Sequence, residues 1–382
     1  RLHPLARLLF RQEDDPILPQ QTEEGQTIEP KMVAPIVPFG LITGGSGIGT
    51  GWSSTVPPHH PQQVLDNTRR LLRGEPLAPL VPFFRGFTGQ VVLKEGGFHT
   101  HGVARWDGKT KVEVTDLPIG VWVTTYRQHL EKLVERKVVK DFVEDHTDRL
   151  VRFEIKLAEA PGGAKKRKGG AADSEQAAKK SRTDTVTMVS RIGQVPTYDL
   201  PPELVEKLKL TKSFSTTNMH LFSAEGKIVK YAHIDEIFRL HYVLRLSMYY
   251  DRKEYQLAEL LRTMRELEER ARFVDLVLAQ TVVIMDAEQD ALLRALTEEH
   301  RFADPEKLLE MKVGQLTATA VAKLRERVDK ARQEHQQLAD TTPEQLWERD
   351  LAELESGLAQ HWSEMPSDDE PSATQKKKSK PS

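Results

Sequence analysis

Leu246, Tyr250, Leu257, Leu260, Met264, Leu267, Ala271, Val274 and Leu278 recur mostly at alternating three- and four-residue steps. That spacing keeps one apolar seam along a long helix. Charged residues such as Arg262, Glu266, Glu268 and Arg270 fill much of its remaining surface. A second seam, Leu316, Ala320, Leu324, Val328, Ala331, His335 and Leu338, runs back after the stretch 282–312. Between them lie shorter apolar runs, VVIM at 282–285 and ALLRAL at 291–296. The pattern predicts an antiparallel coiled-coil hairpin with a helical tip, an arm of roughly 50 Å at about 1.5 Å per residue. Such an arm buries little by itself, which makes its tip a natural dimer contact. An ordinary helical bundle is the competing reading of the same pattern.

The rest of the chain reads as α+β. KMVAPIVPFGLI (Lys31–Ile42) reads as a buried extended segment broken by prolines. In His60–Glu75, Val64, Leu65, Thr68, Leu71 and Leu72 share a helix face, with Gly74 as the stop. Short alternating runs such as GQVVL and KVEVTDL, with frequent glycines, make residues 80–125 a small β-rich unit. YRQHLEKLVERKVVKDF (Tyr126–Phe142) reads as a helix and RLVRFEIKL (Arg149–Leu157) as a strand. Residues 158–184 have almost no bulky apolar side chains and are expected to be a disordered basic insertion. Its clusters Lys165–Lys168 and Lys179–Arg182 resemble a bipartite nuclear-import signal, against the alternative of a solvated basic loop. A polar tail, 363–382, ends the chain.

With 382 residues the chain can hold two or three domains. Its 55 basic and 57 acidic residues nearly cancel, so net charge identifies no partner. No cysteine is present, which excludes disulfides and thiolate metal sites. No apolar run approaches ~20 residues, so no membrane span is expected. The chain begins with Arg1 rather than Met, so the expectation is a piece of something longer or a processed chain.

Chemistry is concentrated in one run, GGSGIGTGWS (Gly44–Ser53), with glycine at every second position from Gly45 to Gly51. It lacks the Lys and Ser/Thr of a Walker loop, and its glycines do not fit the G-x-G-x-x-G spacing of a dinucleotide site. Two readings stand: a tight turn in which Ile48 packs inward, or a permissive ribbon that lifts Ile48 toward a large ligand. Some DNA-bending proteins insert apolar wedges of that kind between base steps. Elsewhere the 13 histidines are scattered, and Asp14–Asp15 and Glu144–Asp145 are adjacent pairs without metal-cluster spacing. The serines and threonines have no identifiable base partner.

The stretch EPKMVAPIVPFGLITGGSGIGTGWSSTVP (Glu29–Pro57) resembles eukaryotic type IIA DNA topoisomerase, which carries E-P-x-x-Y/W-x-P-I-x-P-x-x-L-I-N-G-x-x-G-I-G-T-G-W-S at this point. Val33 stands in place of the family's aromatic residue and Thr43 in place of its Asn. Further matches follow in family order at Val112–Leu130, Leu210–Tyr231, Arg245–Leu257 and Thr342–Glu355. The resemblance makes Ile48 the wedge that intercalates into the gate DNA and bends it. It makes Trp122 a DNA contact, although Gly120 and Val123 depart from the usual neighbours. It also makes KLTKSFSTTN a DNA-contacting segment: Lys209, Leu210, Thr211, Lys212, Ser213, Phe214, Ser215, Thr216, Thr217 and Asn218. Lysines and hydroxyls suit phosphate contacts.

The resemblance also implies a division of labour. The family cuts DNA with a tyrosine a few residues before an L-A-R-L-L-F stretch, here Leu5–Phe10, so that tyrosine is expected just ahead of Arg1. None of Tyr126, Tyr198, Tyr231, Tyr242, Tyr249, Tyr250 and Tyr255 has the family's context. The Mg²⁺-binding acids and the ATPase domain are likewise expected outside this chain. Residues 1–30 would end a winged-helix region, and 31–235 would form the tower with the DNA-bending loop. Residues 236–340 would form the arm and exit gate, and 341–362 a helix packing back on the core. The implied protein is a nuclear, homodimeric, ATP-hydrolysing topoisomerase acting on double-stranded DNA, with no membrane partner. The alternative is a coiled-coil DNA-binding scaffold that kept the fold and lost the chemistry.

Overall fold

The predicted seam is a single helix, Ile234–Leu278, of 45 residues. In the computed structural model of the chain, residues 2–49, 51–147, 150–159, 198, 200–284, 288–312 and 316–364 are described. The insertion beyond Glu159, both basic clusters and the polar tail beyond Glu364 lie outside them. No described helix is long and apolar enough to cross a membrane. The chain divides into two compact units, residues 1–36 with 241–358 and residues 37–240 with the terminal stretch from 359.

In the first unit a return helix, Ala318–Asp340, runs antiparallel to the long helix. Lys253 donates to the carbonyl of Ala339 (2.9 Å), Arg332 pairs with Glu268 (2.8 Å) and Arg325 with Asp275 (2.7 Å), one partner number rising as the other falls. Leu267, Ala271 and Val274 face Val321, Val328 and Ala331 as buried seams. The return helix has 23 residues, so the two-helix section is about 35 Å long rather than 50 Å. Tyr250 and Leu278 leave the expected seam and are 54% and 46% exposed. Near Tyr250 the inward positions go instead to Arg245, Met248, Tyr249 and Arg252. The reason is a change of partner: here the long helix faces the terminal helix Pro343–Glu364. Trp347 of that helix is fully buried, stacked on Tyr242 and Tyr249, and donates its indole N–H to the Ile36 carbonyl (2.8 Å). The tip has its own core of Phe273, Val274, Val282, Leu296, Phe302, Leu308 and Val321.

Ion pairs fill the space beside Trp347. Arg245 pairs with Asp14 (2.7 Å), and Arg252 with Asp350 (2.8 Å), which also accepts from the Tyr249 hydroxyl (2.7 Å). Arg11 reaches Asp350 and Glu353. Burial pushes the Asp14 carboxyl above its ordinary value against the pull of Arg245 and Arg252. The terminal helix starts with a reciprocal cap: Thr342 N–H donates to Gln345 Oε1 (2.9 Å) and Gln345 N–H to Thr342 Oγ1 (3.2 Å). A two-stranded hairpin, β1 (Gln20–Glu23) and β2 (Gln26–Pro30), completes this unit among the described residues.

The second unit holds the remaining strands: β3 (Gly45–Gly49), β4 (Trp52–Val56), β5 (Gln90–Lys94), β6 (Gly97–His101), β7 (Val103–Trp106), β8 (Lys111–Asp116), β9 (Val139–Glu144), β10 (Phe153–Leu157), β11 (Thr211–Ser215), β12 (Met219–Phe222) and β13 (Ile228–Tyr231). They form antiparallel sheets in the orders β7-β8-β10-β9, β11-β6-β5, β12-β13 and β3-β4. Alternate residues Val112 and Val114 of β8, and Phe153, Ile155 and Leu157 of β10, face inward. Against them the helix Val123–Glu135 lays Tyr126, Leu130 and Leu133, one helical face.

Two sequence expectations shift here. The helix read over Tyr126–Phe142 stops at Glu135, because Lys137 turns left-handed (φ 55°) and Val139–Glu144 joins the sheet beside β10. Extended pairing overrides a helical pattern once a neighbouring strand supplies the hydrogen bonds. The segment Lys31–Ile42 is buried at Ala34, Ile36, Val37 and Leu41, but Phe39–Thr43 coils into one helical turn after Pro38. The helix Pro61–Leu72 is as expected, capped by His60 and ended near Gly74 (φ 70°). The His60 ring lies between Phe83 (4.6 Å) and Trp362 (5.0 Å).

Candidate nucleic-acid interface

The glycine run folds as the ribbon β3–β4, with Ile48 opposite Ser53 and Gly49 opposite Trp52. Its root is fixed. Gly44 has φ +61°, and a Cβ there would lie 2.7 Å from the Pro58 nitrogen and 2.9 Å from the Val56 carbonyl oxygen. Behind the root, His59 is buried, with Nδ1 3.1 Å from the Leu41 carbonyl oxygen. Desolvation pushes its pKa down to about 4, so the ring is neutral and Nδ1 donates.

Beyond the root the glycines have no internal reason to be glycines. A Cβ on Gly45 or Gly47 would meet nothing within 4 Å, and one on Gly49 only the Trp52 carbonyl at 3.9 Å. Glycine inside a strand costs roughly 0.5–1 kcal/mol relative to alanine. Ile48 does not pack inward: it is 92% exposed on a ribbon built mostly of Gly, Ser and Thr. An apolar slot that buried it would gain about 1.5–3 kcal/mol.

The ribbon leans on the segment after β11. Asn218 donates its amide to Ser53 Oγ (3.3 Å), and its carbonyl accepts from Thr55 N–H (3.4 Å). His220 N–H donates to Ser54 Oγ (3.1 Å). Thus the run Lys209–Asn218 and the wedge candidate form one surface, although they are far apart in sequence.

Within that run the strand sorts the side chains. Leu210 is wholly buried in the sheet–helix core, so its side chain is removed from the surface assigned to it from sequence. Lys209 is exposed with φ 50°. Thr211, Ser213 and Ser215 share one face of β11: Thr211 Oγ1 meets His101 Nδ1 (3.0 Å), Ser213 accepts from Lys94, and Ser215 Oγ meets Thr217 Oγ1 (2.9 Å). Lys212 and Phe214 face the other way. Phe214 stacks on Phe98 (4.9 Å), while Lys212 lies over the Phe214 ring and donates to the Gly120 carbonyl (2.6 Å). Thr216 N–H donates to the Gly96 carbonyl (3.0 Å). Trp122 precedes the helix Val123–Glu135 and is 75% exposed, close in sequence to Gly120. Sequence reasoning missed Lys94 and His220. Only strand register brings them to this surface, and no local motif signals it.

The tyrosines offer no activated phenol. Burial pushes Tyr198 up to about 12 and raises Tyr126, and Tyr249 is raised even with Arg245 and Arg252 against its ring. Among the described residues there is no group of three or more His, Asp or Glu placed to hold a metal ion.

An exposed aliphatic group on a glycine ribbon, flanked by Lys, Ser and Thr and set in an α+β unit, defines a protein of the DNA gyrase/topoisomerase IV A-subunit family, whose model matches residues 1–198 and 199–352; the chain belongs to it. Within that family it is similar to DNA topoisomerase 2. It is 30% identical to DNA topoisomerase 2 of Penicillium chrysogenum over 93% of this chain and 22% of that protein. It is 30% identical to DNA topoisomerase 2 of Pisum sativum over 93% of this chain and 25% of that protein. The crystal structure of the Plasmodium falciparum topoisomerase II DNA-binding, cleavage and re-ligation domain superposes with a TM-score of 0.70. That match has 24% identity and covers 95% of this chain and 49% of that one, so it shows the fold. The chain spans about a quarter of the length of these two curated relatives.

Proposed function

We propose that this chain bends gate DNA and closes a dimer exit gate within an ATP-dependent type II DNA topoisomerase of the nucleus. The observation that carries the reading is the bare Ile48 on a ribbon whose glycines leave space the protein does not use. A duplex brought against that ribbon meets no Cβ from Gly45, Gly47 or Gly49, and the isoleucine enters the stack. Opening a base step costs a few kcal/mol, offset by contacts that the bent duplex makes elsewhere. Those contacts are assigned to Trp122, Lys209, the hydroxyls of Ser213, Ser215, Thr216 and Thr217, and Asn218. Lys212 serves them through its charge.

In this reading residues 31–235 form the tower, and the arm within 236–340 meets its twofold mate at the tip. The terminal helix over 341–362 ties back to the core. Double-strand cleavage through a tyrosyl–phosphate bond, its Mg²⁺ and ATP hydrolysis belong to the remainder of the longer protein. The described residues provide no donor set for that metal, and no step through it is assigned to them.

The test is bending of an end-labelled duplex, read by fluorescence energy transfer, in parent and Ile48→Ala proteins. The parent should shorten the end-to-end distance and Ile48→Ala should not, with the oligomeric state unchanged. Equal bending by both would remove the wedge role. This chain with supercoiled plasmid, ATP and Mg²⁺ should leave the supercoils intact; relaxation would refute the division of labour.

A further inference from the structure

The ribbon β3–β4 has two strands, and such a hairpin is marginal by itself, so something outside it must set its angle. Its distal strand offers almost nothing to hold, being glycine with Ile48 and Ser46. The hold is therefore on β4, and it centres on one ring. We propose that His220 is the positioning residue that fixes the aim of Ile48, an inference that rests on the wedge reading above.

His220 Nδ1 lies 2.9 Å from the Ser53 carbonyl oxygen and 3.2 Å from the Asn218 carbonyl oxygen. Both are acceptors only, so Nδ1 carries the proton and donates. The ring lies 5.1 Å from that of Trp52 at 54°. Ser53 and Trp52 are the cross-strand partners of Ile48 and Gly49. His220 thus grips the two β4 residues that stand opposite the wedge and its neighbour. Its own backbone is fixed by β12–β13 pairing, opposite Lys230, and by its N–H on Ser54. Being half-buried behind the ribbon, the ring acts through Ser53 and Trp52. Phosphate contacts supply most of the affinity for a duplex, whereas inserting the wedge requires a defined approach. Loosening the brace should reduce bending and leave affinity largely intact.

The experiment compares His220→Ala, His220→Asn, His220→Gln and Ile48→Ala in the full-length protein, measuring duplex affinity and bent fraction separately, with thermal melting to verify folding. The Asn amide nitrogen occupies the place of Nδ1, whereas the Gln amide reaches the place of Nε2. His220→Ala and His220→Gln should lower the bent-to-straight ratio about three- to tenfold, the worth of one hydrogen bond, and His220→Asn should restore it. Affinity should stay within about twofold for all three, because the phosphate contacts are untouched. Loss of bending in Ile48→Ala with none in His220→Ala would overturn the positioning role alone. So would an Asn variant no better than Ala, or bending and affinity that fall together. Undiminished bending in Ile48→Ala would overturn the wedge reading and this inference with it.

Discussion

The ribbon around Ile48 and the ion-pair cluster around Asp350 each invert a usual rule of protein surfaces. One holds an aliphatic side chain out at 92% exposure, and the other holds Arg245, Arg252, Asp14 and Asp350 almost wholly inside. The difference lies in who supplies the missing partner. Every buried charge of the cluster has an opposite charge from the same chain, so its needs are met internally. Ile48 is left uncovered by its own ribbon, and the flanking glycines leave room that only another molecule could use. A violation compensated inside the chain points to structure; one left uncompensated points to a ligand.

The largest effect should come from breaking the closed side. Asp350→Ala leaves Arg252 and the Tyr249 hydroxyl buried without their acceptor. It should cost about 3–5 kcal/mol, seen as a lower urea midpoint. A loss under about 1 kcal/mol would mean that the cluster behaves like a surface pair.

Next comes protonation of a buried neutral group. His59 folds with its pKa depressed to about 4 from 6.5, so protonation favours the unfolded chain. Its contribution is complete above pH 6.5 and is lost as pH falls toward 4, up to about 3 kcal/mol. His59→Asn can still donate to the Leu41 carbonyl and does not titrate. Its urea midpoint should therefore change less between pH 7 and pH 4.5 than the parent's. Parallel pH profiles would show that His59 is not held neutral.

The smallest stability effect belongs to the open side. Gly47→Ala should be neutral or stabilising by about 0.5–1 kcal/mol, since its Cβ has free space. The same change should weaken duplex bending. Stabilisation together with undiminished bending would show that nothing approaches the ribbon closely.

Much of this was legible in the sequence, and the exceptions have physical causes. The long helix, its antiparallel return and the β-rich unit followed from periodicity, because seams and alternation are local properties. Tyr250 was misplaced because three- and four-residue spacing cannot tell which neighbour a helix faces. Val139–Glu144 was read as helix because strand pairing with β10 is a long-range event. At the interface, the glycine run marked the ribbon and hydroxyl-rich composition marked β11. Neither could show that Leu210 points into the core or that Lys94 and His220 arrive from other strands. Register sets those positions, and register is not written in any single segment.

Thr341 and Thr342 are the whole joint between the return helix, ending at Asp340, and the terminal helix, starting at Pro343. Thr341 donates its N–H (3.1 Å) and its hydroxyl to the carbonyl of Gln337, and Thr342 and Gln345 close the other side. An elbow welded on both flanks cannot swivel, so torque applied to the arm would turn the terminal helix as a lever instead of dissipating in slack chain.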